Sequence, residues 1–178
     1  NHDIDLNLNA DVTGFFETED AIEAEIKGVG RKKGDMVILA AGVMPESHLA
    51  RDAGLKLGRK GAVVTDSHMR TSEPDIYAIG DVAEVRNYVT GEPALVSLAG
   101  PANKQGRIAA DHICGIPSAF RGAQASSVMK LFEMTVAATG INEKEARTRE
   151  MDFDSVILTP ASHATYYPGA ASMVMKVL

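Results

Sequence analysis

Tryptophan is absent from this sequence, and cysteine occurs once, at Cys114. A single thiol excludes an internal disulfide and any Cys-x-x-Cys metal pair, so a reducing, cytoplasmic setting is the expectation. Aromatic residues make up only 5%, which leaves Ala, Val, Ile, Leu and Met to build the core. No apolar run reaches the roughly 18–20 residues needed to span a bilayer, and no signal-peptide pattern is present. Lys and Arg form no stripe, and the formal net charge is −6. Both facts argue against nucleic acid or an anionic membrane as the main partner. His2, His48, His68, His112 and His163 show no paired spacing with Cys or acidic residues, so no metal centre is expected.

What remains is the composition of a folded protein: 178 residues, 45% apolar and 24% charged. The chain starts Asn1-His2-Asp3 without Met and stops inside an alternating run, Ser172 to Leu178, which suggests a piece of something longer. Ala10 to Lys27 reads as a hairpin, because Ile22-Glu-Ala-Glu-Ile26 alternates with period two. Gly28 to Gly34 reads as a basic turn, and Asp35 to Gly42 as a buried strand whose glycine end points at something. A short helix over Glu46–Ala53 closes at Gly54. Brief strands are expected at Ala62–Thr65 and Asp75–Ile79, and a Thr90-Gly91 turn after them. A longer helix follows, with Gly100 as cap, Pro101 at the first position and Gly115 past the end. Ala102, Gly106, Ala109, Ala110 and Ile113 fall on one face of it, small enough to admit another backbone or a flat ligand. From Val128 onward the pattern is a sheet with one helix, capped by Asn142 three residues before Glu145. The character of the chain changes near residues 43 and 122.

Three constellations carry chemistry. The run Asp75-Ile-Tyr-Ala-Ile-Gly80-Asp81 puts a carboxylate where a strand ends, the usual ligand edge of an α/β sheet. Gly80 lets a ligand approach the backbone without a Cβ in the way, and an ionised Asp81 can only accept, as from a ribityl or ribose hydroxyl. An ordinary cap or turn aspartate uses the same two residues. The helix start at Leu98, Ala99, Gly100, Pro101, Ala102 and Asn103 offers free N–H groups and a positive dipole end to partial negative charge, while a well-capped core helix has the same sequence. Ser162-His-Ala-Thr-Tyr-Tyr-Pro-Gly169 gathers His163, Tyr166 and Tyr167, an imidazole and two phenols able to move a proton or grip a phosphate. A surface turn would also look like this. Cys114 reads as a structural thiol, since only His112 is near and should face elsewhere. No Gly-x-Gly-x-x-Gly follows a strand, and His48 and His68 read as solvated.

In combination these motifs resemble a known family. Thr71 to Asp81 resembles the second flavin fingerprint of the pyridine nucleotide-disulfide oxidoreductases. Val37-Ile-Leu-Ala-Ala-Gly42-Val-Met-Pro45 resembles the strand and Gly-x-x-Pro turn closing that family's NAD domain, with Met44 and Glu46 departing from the usual pattern. Leu98 to Arg107 is similar to the flavin-facing helix start of the branch that contains coenzyme A-disulfide reductases and NADH oxidases. His163 to Gly169 is similar to an element of that branch's dimerisation domain which reaches over the partner subunit's active site.

The resemblance implies a mixed fold, α/β and α+β. Residues 1–42 would be the carboxyl-side part of an NAD(P)-binding domain, 43–122 the return segment of an FAD-binding domain, and 123–178 the start of a dimerisation domain. It implies FAD and NAD(P)H as cofactors, held in part by Gly42, Gly80, Asp81, Leu98, Ala99, Pro101, Ala102 and Asn103. It implies catalytic roles for His163, Tyr166 and Tyr167, a homodimer, and a small disulfide such as coenzyme A disulfide or polysulfide as substrate. The family's redox cysteine and both pyrophosphate loops lie in segments absent here, so the chain alone is expected to be inactive. NADH oxidase, peroxidase or polysulfide reductase activity is the alternative within the family, and a folded binding or dimerisation module without redox function the alternative outside it.

Overall fold

Period-two alternation shapes the first part of the chain. Val12–Glu17 forms β1, Ile22–Ile26 forms β2 and Gly30–Gly34 forms β3, an antiparallel meander in the order β1-β2-β3. The structure, a computed structural model, describes residues 3–178 and divides the chain into two compact units, one ending at Val43 and the other Met44–Leu178. His2 lies outside the described residues.

Two expectations fail in the first unit. The basic Gly-rich stretch is a turn only around Gly28, and Gly30–Gly34 pairs with β2. Cross-strand attraction explains the pairing: Arg31 stands opposite Glu25 and Lys33 opposite Glu23, and the Arg31 guanidinium lies 4.0 Å over the Phe16 ring. The run Asp35 to Gly42 is irregular, and Ile38 is 82% exposed. A parallel strand is buried only when neighbours cover it, and no strand among the described residues pairs with this one.

In the second unit His48–Asp52 forms α1, closed by Gly54 at φ +76°, where a residue without Cβ is favoured. Val63–Val64 forms β4, Ala83–Arg86 forms β5 beside it in parallel, and Pro93–Ala94 forms β6 antiparallel to β5. Asp75–Ile79 is not a strand. Only Tyr77 pairs, bridging to Arg70, because the loop from Asp66 closes on itself, with the Asp66 carboxylate accepting the backbone N–H of His68 and Arg70.

Ala99–Ile113 forms α2, entered from Leu98, two residues earlier than its Gly and Pro suggest. Pro101 is thus the third helical residue, still in the first turn where its missing N–H leaves nothing unpaired. The helix buries Gln105, Ile108 and Ala109, while Ala110 and Ile113 are exposed, so the expected small-residue face is rotated. Ile108 and Ala109 join Met69, Ala83 and Val85 in the core, with Tyr77, Ala78, Val96 and Phe120 packed around it.

Ser127–Leu131 (β7) and Met134–Ala138 (β8) make a hairpin, and Val156–Leu158 (β9) pairs antiparallel with Met175–Val177 (β10). Between the two pairs lies α3, Glu143–Thr148, whose first turn is closed by Asn142 Oδ1 accepting the Glu145 N–H at 2.9 Å. Arg149 just beyond α3 forms ion pairs with Glu145 and with Glu92 in the β5–β6 loop, tying the carboxyl-side strands to the segment that carries β5.

Candidate functional site

The turn at Asp81 is built from both sides. Ile79 is extended, Gly80 adopts φ +74°, and Gly80–Val82 makes one 3₁₀ turn leading into β5. The positive φ is the reason a glycine stands there. A Cβ on Gly80 would lie 3.9 Å from the Ala102 Cβ, and one on Gly106 would lie 3.5 Å from Ile79 Cδ1, so turn and helix are in van der Waals contact. The Gly80 N–H donates to Gln105 Oε1 at 2.6 Å. Asp81 itself is exposed, and its carboxylate has no hydrogen bond or ion pair among the described residues. A cap or turn aspartate would use its oxygens on nearby backbone, as Asp66 does. Asp81 does not.

Beside this turn α2 begins without a side-chain cap. Its first N–H groups therefore remain available, with the positive end of the helix dipole behind them. Leu98, Ala99, Gly100 and Pro101 line an open cavity of about 660 Å³, whose other wall runs from Phe120 to Val128. Lys104 and Arg121 also line it, adding positive charge. Asp81, Ala102 and Asn103 are not among its lining residues. The structure thus joins Gly80 and Asp81 to Ala102 by contact, and Leu98, Ala99 and Pro101 to the cavity.

His163, Tyr166 and Tyr167 are not among the residues that line that cavity, and Gly42 belongs to the other unit. His163, Tyr166 and Tyr167 occupy the loop between β9 and β10, where Ser162 N–H donates to Ala171 O at 2.8 Å. The two phenol rings lie 4.9 Å apart and are 82% and 61% exposed, and Ser162 Oγ lies 3.1 Å from His163 Nδ1. Gly42, in the first unit, has φ +91° and nothing within 4 Å of where a Cβ would project. Cys114 is exposed at the far end of α2, roughly 20 Å from the helix start at 1.5 Å per residue. No group of three or more metal-ligating side chains occurs among the described residues.

Two features were not legible in the sequence. Gln105 is 1% exposed, although a glutamine among Asn, Lys and Arg reads as surface. His68 is not a solvated residue: its ring stacks on His112 at 4.6 Å, its Nδ1 is 2.7 Å from the Ser118 carbonyl, and Tyr77 Oη is 2.7 Å from His112 Nδ1. A carbonyl only accepts, so the proton of that first bond sits on His68 Nδ1.

The second unit thus packs helix α2 against the Gly80–Asp81 turn in a mixed α/β arrangement. The family model described as pyridine nucleotide-disulphide oxidoreductase matches residues 1–106, and the chain belongs to that family, whose members depend on FAD and NAD(P)H. An NAD(P)H sulfur oxidoreductase (CoA-dependent) of Pyrococcus abyssi is 35% identical over 161 residues, covering 90% of this chain and 36% of that protein. A coenzyme A disulfide reductase of Staphylococcus aureus is 34% identical over 144 residues, covering 80% of this chain and 32% of its own length. The solved NAD-dependent persulfide reductase of A. fulgidus superposes with a TM-score of 0.87 at 36% identity, over 94% of this chain and 31% of that one. The chain thus spans about a third of the length of the relatives it matches.

Proposed function

We propose that this chain supplies part of the flavin site of an FAD-dependent NAD(P)H:disulfide oxidoreductase. The observation that carries the reading is the exposed Asp81 carboxylate, without a partner among the described residues, held beside an uncapped helix start. The residues present fit the cofactor. Asp81 accepts from a ribityl hydroxyl, and the Ala99 and Gly100 N–H groups that open α2 offer donors to partial negative charge. Bound FAD would supply the two-electron exchange between NAD(P)H and a disulfide. The chain's own part is to orient that group and to favour negative charge next to α2.

The lone thiol takes no part in this site, because Cys114 sits at the opposite helix end. The attacking cysteine therefore belongs to another segment of the whole protein. His163, Tyr166 and Tyr167 are proposed to serve a second subunit, holding or passing a proton where a thiolate leaves. Their exposure on a loop is what a contribution to a neighbouring chain requires. Gly42 is proposed to border the NAD(P)H pocket, and a homodimer follows from the same reading.

Small disulfides or polysulfides, including coenzyme A disulfide, are the proposed substrates, in keeping with the sulfur-reducing relatives. The test is the full-length protein, purified and assayed for bound FAD and for NAD(P)H oxidation with coenzyme A disulfide, polysulfide or oxygen. Bound flavin with turnover of either sulfur substrate is expected. Turnover with oxygen alone would favour an NADH oxidase, and a colourless protein that binds no FAD would refute the reading.

A further inference from the structure

We propose that Gln105 is a positioning residue, which fixes Asp81 for its ligand by holding the Gly80 N–H. The proposal rests on the flavin reading above. Gln105 lies on the same face of α2 as the core residues Ile108 and Ala109 and is as buried as they are. A leucine would fill such a place without a polar atom to desolvate, whereas an amide there must find a partner. Its Oε1 accepts one bond from another element, the Gly80 N–H, at 2.6 Å.

That donor is the amide immediately before Asp81, in a residue held at φ +74°. The turn could rotate about this residue, since a glycine samples many conformations. Three contacts prevent it: the Gln105 acceptor, Ala102 against Gly80, and Ile79 against Gly106. Of these three the first is the directional one, and together with the Ala83 N–H to Gly80 O bond that closes the turn it sets how the Asp81 carboxylate stands relative to the start of α2. A buried polar residue that departs from local rules is expected where function demands it.

The experiment is a double-mutant cycle on FAD affinity, measured by titrating the flavin-free full-length protein. Gln105→Leu should weaken FAD about tenfold when Asp81 is present, equivalent to 1.4 kcal/mol, and less than twofold in an Asp81→Ala background. Gln105→Glu retains an acceptor at the same reach and should stay within about threefold of wild type, with an unshifted flavin absorption band. Gln105→Met replaces leucine in the cycle if the leucine chain does not fold. Equal losses in both backgrounds would mean a purely structural role and overturn the proposal, as would unchanged affinity or a glutamate variant as weak as leucine. Loss on Asp81→Ala without loss on Gln105→Leu sinks this inference alone. A wild-type protein that binds no FAD sinks the flavin reading together with it.

Discussion

Replacing Asp81 by alanine separates a ligand-binding carboxylate from a structural one. Because the side chain is exposed and has no protein partner among the described residues, its removal strands no donor. Folding stability should then stay within about 0.5 kcal/mol of wild type, the usual range for surface changes. The cofactor should lose a hydrogen bond to a charged acceptor, worth about 1.5–3 kcal/mol, which is about a tenfold to 150-fold rise in the FAD dissociation constant. Asp81→Asn keeps an acceptor but not its charge, so about 1 kcal/mol of the interaction should remain. The assay is fluorescence titration of FAD into flavin-free full-length protein, with thermal melting of the same samples. An unchanged dissociation constant would remove Asp81 from the site. Weaker binding with an equally large loss of melting stability would instead show a structural carboxylate.

Three further outcomes follow from the geometry. Gly122 has φ +107°, and a Cβ there would lie 2.6 Å from the Arg86 carbonyl oxygen. Gly122→Ala should therefore cost about 2–4 kcal/mol, read as a lower denaturation midpoint. Tyr166→Phe and Tyr167→Phe keep the ring pair and remove one hydroxyl each. If a phenol transfers a proton, one of them should lower disulfide turnover about 100-fold with little change in FAD content, and two fully active variants would exclude that role. Burial raises the Asp66 pKa, but the backbone N–H groups of Arg70 and His68 and the Arg70 guanidinium outweigh it and hold the carboxyl below its ordinary value. A lowered folded value means a contribution present above about pH 4 and lost as pH falls through that lower value. The difference in urea midpoint between wild type and Asp66→Asn should accordingly be larger at pH 6 than at pH 2.5.

Local signals in the sequence reached the elements that local chemistry decides. The hairpin of β1 and β2 follows from alternation alone, α2 from its Pro and Gly punctuation, and the α3 cap from Asn142. Elements that depend on distant partners were misread. The apolar run Asp35 to Gly42 encodes burial against neighbours, and no such neighbour occurs among the described strands. Tyr77 shows the same limit in reverse, because its residues look like a strand while its hydroxyl and ring serve the His112 end of α2. At the proposed site, Asp81 and the α2 start stand out in the sequence as motifs. Gln105 does not, because its partner is a backbone N–H, which no side-chain pattern announces.

The bond between Gly80 and Gln105 also constrains the order of assembly. Its two ends are 25 residues apart, and closing a chain of that length costs about 3 kcal/mol in entropy. A nascent chain that has made Gly80 to Ala83 but not α2 has only the local Ala83 N–H to Gly80 O bond and lacks the tie to the helix. On the proposed flavin reading, a ligand that uses both Asp81 and the start of α2 would arrive after the helix has docked, and cofactor loading would be a late step that locks a finished scaffold. Refolding with and without FAD should then differ in the rate of unfolding, with the rate of folding unchanged.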